Sequence, residues 1–94
     1  MTGEPALRLS VLGRVQGVGF RWWAVRTALR LGVRGWIRNR ADGSVEIQAI
    51  GSRDRLDALV QACRTGPAAA KVTSVLAAET EDDGSMGFEQ HPDA

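Results

Sequence analysis

The spacing of hydrophobic positions changes several times along the chain, and each change marks a new element. Apolar and polar residues alternate over Leu7–Leu12, which is the two-residue period of a strand with one buried face. Gly13 is expected to end this strand. Over Phe20–Leu31 the apolar positions recur every three or four residues, so an amphipathic helix is predicted there. Gly32 follows it as a helix-ending signal.

A second strand is predicted over Val33–Arg40. Its odd-numbered residues are the more apolar set and are expected to face the core. This assignment places the polar amide of Asn39 on the core face at the end of the strand, where it needs hydrogen-bond partners. Asp42-Gly43 is a hairpin signal, and the alternation over Val45–Ala49 predicts the returning strand.

The second half of the chain repeats the order of helix and strand. Ser52 is expected to cap a helix that Gly66-Pro67 ends. Alternation over Val72–Ala78 predicts a fourth strand, and Phe88–His91 a short edge strand. The order βαββαβ, with a possible fifth strand, favours an α+β sandwich with two helices on one face of an antiparallel sheet. The apolar stripe of the second helix consists of Leu56, Leu59, Val60 and Cys63.

Length and composition indicate one ordinary globular domain. The 94 residues are 44% hydrophobic and 24% charged, and we expect a single domain over 1–94 with loose ends at 1–6 and 91–94. No apolar run reaches the ~18 residues that a membrane helix needs. The N-terminus has no basic and apolar leader pattern, so a cytoplasmic protein without membrane contact is expected. A monomer is expected, although no sequence pattern specifies the oligomeric state.

Charge is unevenly distributed between the two halves. Residues 1–40 hold eight arginines and one acidic residue, and residues 41–94 hold four basic and ten acidic residues. One interpretation is that the arginines coat the outer faces of a helix and a strand. The other is an electropositive surface that attracts an anionic ligand, small or polymeric.

Glycines cluster between the first strand and the first helix, at positions 13, 17 and 19. Arg21 falls in the first turn of that helix. A glycine-containing loop that leads into a helix N-terminus favours anion binding, because unpaired N–H groups and the positive end of the helix dipole point the same way. The guanidinium of Arg21 would add a planar donor pair that fits a phosphate. A simple tight turn remains the structural alternative, although one glycine would suffice for it.

Several phosphate and nucleophile chemistries are excluded by the residues around this loop. A Walker A loop requires Gly-Lys-Ser/Thr where Phe20-Arg21 stands, and the dinucleotide fingerprint requires a glycine where Trp22 stands. Cys63 is expected to pack in the core, and His91 to be exposed in the tail. No four-ligand zinc set and no carboxylate cluster is present, so no metal site is expected. An enzyme of this kind would have to position water and an already reactive substrate.

An alternative is a non-catalytic binding module, for example for RNA. This alternative is supported by the arginine-rich first half and by three tryptophans, at positions 22, 23 and 36. The tryptophans are expected to be buried or partly buried, or else to stack on a base or an acyl group. No strand has the aromatic-rich pattern of an RNA-binding sheet, so nucleic acid is not the expected partner. A small-ligand sensor has no support beyond the fold.

Two segments resemble the paired signatures of the acylphosphatase family. Gly13–Arg21 (GRVQGVGFR) is similar to the first, and Gly35–Asn39 followed by Asp42–Glu46 is similar to the second. The resemblance extends from Leu7 to Glu89. It implies a ferredoxin-like α/β sandwich that hydrolyses the carboxyl-phosphate bond of small acyl phosphates without metal or cofactor. The fold also occurs at the N-terminus of a large hydrogenase-maturation protein, but no zinc-finger cysteines are present here, so a free-standing enzyme is expected.

The resemblance also implies roles for individual residues. Arg21 matches the arginine that binds the phosphoryl group with the loop amides, and Asn39 matches the asparagine that orients the attacking water. Trp22-Trp23 is bulkier than the signature requires and is expected to narrow the acyl side of the pocket. The tail 90–94 lacks the basic or aromatic ending common in relatives. The implied phosphate-binding set is Arg14, Val15, Gln16, Gly17, Val18, Gly19, Phe20 and Arg21.

Overall fold

The structure is a computed structural model that describes residues 3–94, so Met1 and Thr2 of the expected loose N-terminus lie outside the described residues. The predicted order of elements is confirmed, and the first helix has the predicted bounds. No helix in the described chain is long and apolar enough to cross a membrane. The elements are β1 (Ala6–Arg14), α1 (Phe20–Leu31), β2 (Arg34–Asn39), β3 (Val45–Ile50), α2 (Arg53–Thr65), β4 (Lys71–Thr80) and β5 (Phe88–Gln90).

The five strands form one sheet in the order β4-β1-β3-β2-β5. The first four pair antiparallel, as predicted, but β5 runs parallel to β2, so the sheet is mixed. The two helices contact each other and share the core with the sheet. This architecture is the predicted sandwich of two helices on a sheet, with β1 in the interior so that the loop after it opens at the end of the sheet.

The prediction that Gly13 ends the first strand is wrong, because β1 continues through Arg14. Gly13 has φ 122°, and a Cβ there would come 2.2 Å from the carbonyl oxygen of Lys71 in β4. This glycine therefore permits close approach of two strands and does not belong to the loop that follows.

The predicted alternation along β4 is wrong beyond its first residues. The ladder with β1 shifts register at Leu12/Gly13, which leaves Thr73 without a partner, as in a β-bulge. The extra residue reverses the faces, so Val75 is buried whereas Leu76 is 58% exposed.

The expected packing of Cys63 in the core is confirmed, since its side chain is fully buried in α2.

The sheet face opposite the helices carries a buried charge. Glu46 of β3 is only 4% exposed and accepts hydrogen bonds from Arg8 at 2.9 Å and Arg38 at 2.6 Å. Gln48 is also buried and donates to the main-chain carbonyl of Glu81 in the segment after β4. The arginines on this face are thus partly neutralised by the sheet itself.

The acidic segment between β4 and β5 and the residue after β5 cover part of the same face. The indole N–H of Trp36 donates to Asp83 at 3.0 Å, and the His91 ring stacks on Trp36 at 4.9 Å between centroids. His91 is therefore half-buried and not exposed as expected. Trp36 itself is 8% exposed, so it presents little surface for a ligand.

Candidate active site

The loop between β1 and α1 leads directly into the positive end of the helix. Gly19 is the N-cap residue, with a left-handed φ of 79°, and no side chain among residues 3–94 caps the helix. The first turn of α1 also contains no acidic residue. Gly17 has φ 74°, and a Cβ on either glycine would meet no atom of the described residues within 4 Å. The backbone requires glycine at both positions, and the space beside them is open.

The amide hydrogens of this segment point to no protein acceptor. Within the described residues 3–94, the backbone N–H groups of residues 16–22 donate no hydrogen bond to protein, and the first helical bond runs from Trp23 to Gly19 at 3.0 Å. Free N–H groups at a helix N-terminus attract an anion, because no intrahelical partner is available to them.

A cavity of about 150 Å³ lies at this helix N-terminus. The guanidinium-bearing side chain of Arg21 is 36% exposed and contributes to its wall. The structure therefore brings Arg21 and the two loop glycines to one concave site. The lining residues are Val15, Gly17, Gly19, Phe20, Arg21, Trp22 and Gln90.

Three members of the implied phosphate-binding set have side chains outside this lining. Arg14 is the last residue of β1 and lies opposite Lys71, and Val18 packs against the core. Gln16 turns toward the β2–β3 turn, where its side-chain Nε2 donates to the main-chain carbonyls of Arg40 and Ser44, both at 2.8 Å. Gln16 therefore fixes the loop to the turn that follows Asn39.

Asn39 is the last residue of β2 and is 8% exposed, so its expected burial is confirmed. Its side-chain Oδ1 is buried and accepts no hydrogen bond from the described residues. A buried amide oxygen without a donor is unfavourable and is found where a ligand or a water completes the site. The bonds of Gln16 to the adjacent turn place this oxygen at the same end of the sheet as the loop.

The C-terminal tail continues alongside β2 beyond β5. His91 N–H donates to the carbonyl of Ile37 at 2.8 Å, and Ala94 N–H donates to the carbonyl of Asn39 at 3.0 Å. Between them, the carboxylate of Asp93 lies 3.3 Å from a guanidinium nitrogen of Arg21. Sequence reasoning missed Asp93; the only available signal was its negative charge in a tail expected to be loose.

The site contains no cluster of metal-binding side chains in the part of the chain that the structure describes. No three His, Cys, Asp or Glu residues among residues 3–94 come together as ligands. The polar groups present are main-chain amides, the guanidinium of Arg21, the carboxylate of Asp93 and the side-chain amides of Asn39 and Gln90. This donor set suits an oxyanion, because guanidinium and amide N–H groups all donate to oxygen.

Comparisons with known proteins show the family to which the chain belongs. The family model for acylphosphatase matches residues 7–90. An acylphosphatase from Rhizorhabdus wittichii is 47% identical over 87 residues, which cover 93% of this chain and 88% of the relative. The chain belongs to the acylphosphatase family: it is a hydrolase that acts on acyl phosphates.

Solved structures give the same result for the fold. The crystal structure of acylphosphatase from Bacillus subtilis superposes with a TM-score of 0.89 at 38% identity and covers 93% of this chain and 98% of that chain. HypF from T. kodakarensis superposes with a TM-score of 0.82 at 27% identity, but the match covers only 12% of that longer chain.

Proposed function

We propose that residues 15–21 bind the phosphoryl group of an acyl phosphate and that Asn39 orients the water that attacks it. The observation that carries this proposal is the cavity at the N-terminus of α1, where free backbone amides and the Arg21 guanidinium converge. Val15 to Phe20 contribute through main-chain N–H groups, and Arg21 contributes through its side chain. Arg14 precedes the loop and adds positive charge near it.

Hydrolysis of an acyl phosphate needs mainly positioning and charge stabilisation. The water oxygen attacks phosphorus while the bond from phosphorus to the acyl oxygen breaks, and the carboxylate leaves with that electron pair. A carboxylate is a weak base, so it departs without strong acid catalysis. The amides and Arg21 stabilise the negative charge on the equatorial phosphoryl oxygens in the transition state.

The unpartnered Oδ1 of Asn39 supports its role in orienting water. A water that donates a hydrogen bond to this oxygen turns a lone pair away from it, toward a phosphorus atom held in the loop. An amide is too weakly basic to deprotonate the water. The resemblance to the family implies that a phosphoryl oxygen of the substrate accepts the proton.

The decisive experiment is hydrolysis of acetyl phosphate and benzoyl phosphate by the purified protein with EDTA present. We expect turnover of both, and Arg21→Gln should lose phosphate affinity and rate. Arg30→Gln is the matched control, since Arg30 is an exposed arginine in the last turn of the same helix. If Arg21→Gln and Arg30→Gln behaved alike, Arg21 would not bind the phosphoryl group.

The protein is further proposed to act on small molecules alone, as a cytoplasmic monomer. The sheet face opposite the helices argues against nucleic-acid binding, because its Arg8 and Arg38 pair with Glu46, and the Trp36 ring is stacked against His91. A nucleic-acid site would need free cations and an exposed aromatic surface. Binding to single-stranded RNA at low salt would contradict the proposal that the protein acts on small molecules alone. Gel filtration tests the monomeric state, and cell fractionation tests the cytoplasmic location.

A further inference from the structure

We propose that the indole of Trp22 is the acyl-binding wall of the site and that it selects acyl phosphates with a flat, aromatic acyl group. This inference rests on the proposed phosphoryl-binding role of residues 15–21. Trp22 directly follows Arg21 and lines the same cavity. It is 60% exposed, whereas Trp36 is 8% exposed. A large aromatic side chain left in solvent beside a ligand cavity indicates a contact surface.

Among the described residues that line the cavity, Trp22 is the one with a large and exposed apolar side chain. Val15 and Phe20 also line it, but each is only 1% exposed. The glycines have no side chain, and Arg21 and Gln90 are polar. A substrate held by its phosphoryl group must extend its acyl group out of the cavity, and the apolar surface it meets there is the indole of Trp22.

The two consecutive tryptophans have different surroundings. Trp23 packs against Phe20, with ring centroids 5.3 Å apart, and belongs to the partly buried layer around the core. Trp22 instead stacks with Arg26, whose guanidinium carbon lies 4.6 Å from the ring centroid. The expectation that both tryptophans narrow the acyl side therefore applies to Trp22 alone.

Arg26 has a positioning role for the indole. A guanidinium over one face of an aromatic ring stabilises the orientation of the ring. Because the ring has two faces and Arg26 covers one, the other face remains for a ligand, in agreement with the 60% exposure of Trp22. Aromatic rings prefer offset-stacked or edge-to-face contacts with a second ring, so a planar aryl acyl group is better matched than a small methyl group.

The test compares kcat/KM for benzoyl phosphate and acetyl phosphate in four proteins: wild type, Trp22→Ala, Trp22→Phe and Leu29→Ala. We expect the benzoyl-to-acetyl ratio to fall about fivefold in Trp22→Ala and to stay within about twofold of wild type in Trp22→Phe. Leu29→Ala is the matched control, because Leu29 is a 56% exposed apolar residue on the same helix, outside the cavity. Its ratio should equal that of wild type.

Arg26→Gln provides a second variant that retains the indole and removes the stacked cation. The ratio of kcat/KM for benzoyl phosphate to that for acetyl phosphate should then fall by about twofold, because the indole ring is less well oriented. An unchanged ratio in Trp22→Ala, or an equal loss for both substrates, would overturn the acyl-wall inference while leaving the phosphoryl site intact. Failure of the wild type to hydrolyse either substrate would instead overturn the proposed function.

Discussion

The carboxylate of Asp93 lies 3.3 Å from a guanidinium nitrogen of Arg21, 72 residues earlier in the chain. The contact is single and long, and the side chains of Arg21 and Asp93 are 36% and 63% exposed. An ion pair of this kind contributes between 0 and about 1 kcal/mol. Its main consequence is electrostatic, because a negative charge beside Arg21 opposes the binding of an anionic phosphoryl group.

Asp93→Asn is therefore expected to tighten phosphate binding. The KM for an acyl phosphate and the Ki for inorganic phosphate should each fall about two- to threefold at low ionic strength, with the difference shrinking in salt. Asp57→Asn, which removes an exposed carboxylate from α2, is the control for net charge. A higher KM in Asp93→Asn would show instead that Asp93 holds Arg21 in its binding orientation.

Asn39→Ala is expected to lower kcat about 100-fold while the KM stays within about twofold. The reason is that, in the proposed mechanism, Asn39 orients the water and does not bind the phosphoryl group. Steady-state kinetics with benzoyl phosphate measure both constants, and circular dichroism checks that the variant keeps the overall secondary structure of the wild type. A variant with full kcat would exclude the water-orienting role.

The periodicity of the sequence was enough for the order of elements, because each apolar stripe faces a single shared core. The periodicity did not predict the buried face of β4, because one unpaired residue, Thr73, reverses which side chains are buried. It also failed for Gly13, since a strand glycine and a loop glycine look alike until the neighbouring strand is known.

In the candidate site too, some residues could be predicted from local sequence and others depend on distant contacts. Arg21 and Asn39 could be singled out because a motif surrounds each of them and because a polar amide on a core face is unusual. Asp93 and the side chain of Gln16 act through contacts across 72 and 24 residues, respectively, and no local pattern encodes such contacts. Trp22 and Trp23 are adjacent in sequence, so only the packing of Trp23 against Phe20 distinguishes them.

Gln16 gives a test of how the loop is positioned. Its Nε2 donates to two carbonyls of the β2–β3 turn, so Gln16→Ala should cost about 1 kcal/mol of stability and lower kcat/KM about fivefold. Gln16→Glu should lower stability and kcat/KM further than Gln16→Ala. The reason is that a carboxylate cannot donate a hydrogen bond and would face the carbonyl oxygens of Arg40 and Ser44. Thermal unfolding and kinetics measure the two effects. Equal activity of the wild type and both variants would show that the loop is held without this side chain.

Cys63 provides a test of the core that is separate from catalysis. Burial raises the pKa of its thiol from about 9 to about 12. The folded protein therefore keeps this proton at a pH where the unfolded chain releases it. The contribution of the buried thiol to stability is complete below pH 9 and is lost as the pH rises from about 9 toward 12.

We therefore expect the native thiol not to react with thiol reagents at pH 8, and to react once the protein unfolds. Cys63→Ala should keep full activity and lose about 1–2 kcal/mol of stability at neutral pH, because it leaves a small cavity beneath α2. Its free energy of unfolding should also fall less steeply than that of wild type above pH 9, which urea unfolding at several pH values measures. Inhibition of the native enzyme by a thiol reagent, or loss of activity in folded Cys63→Ala, would contradict the assignment of Cys63 to the inert core.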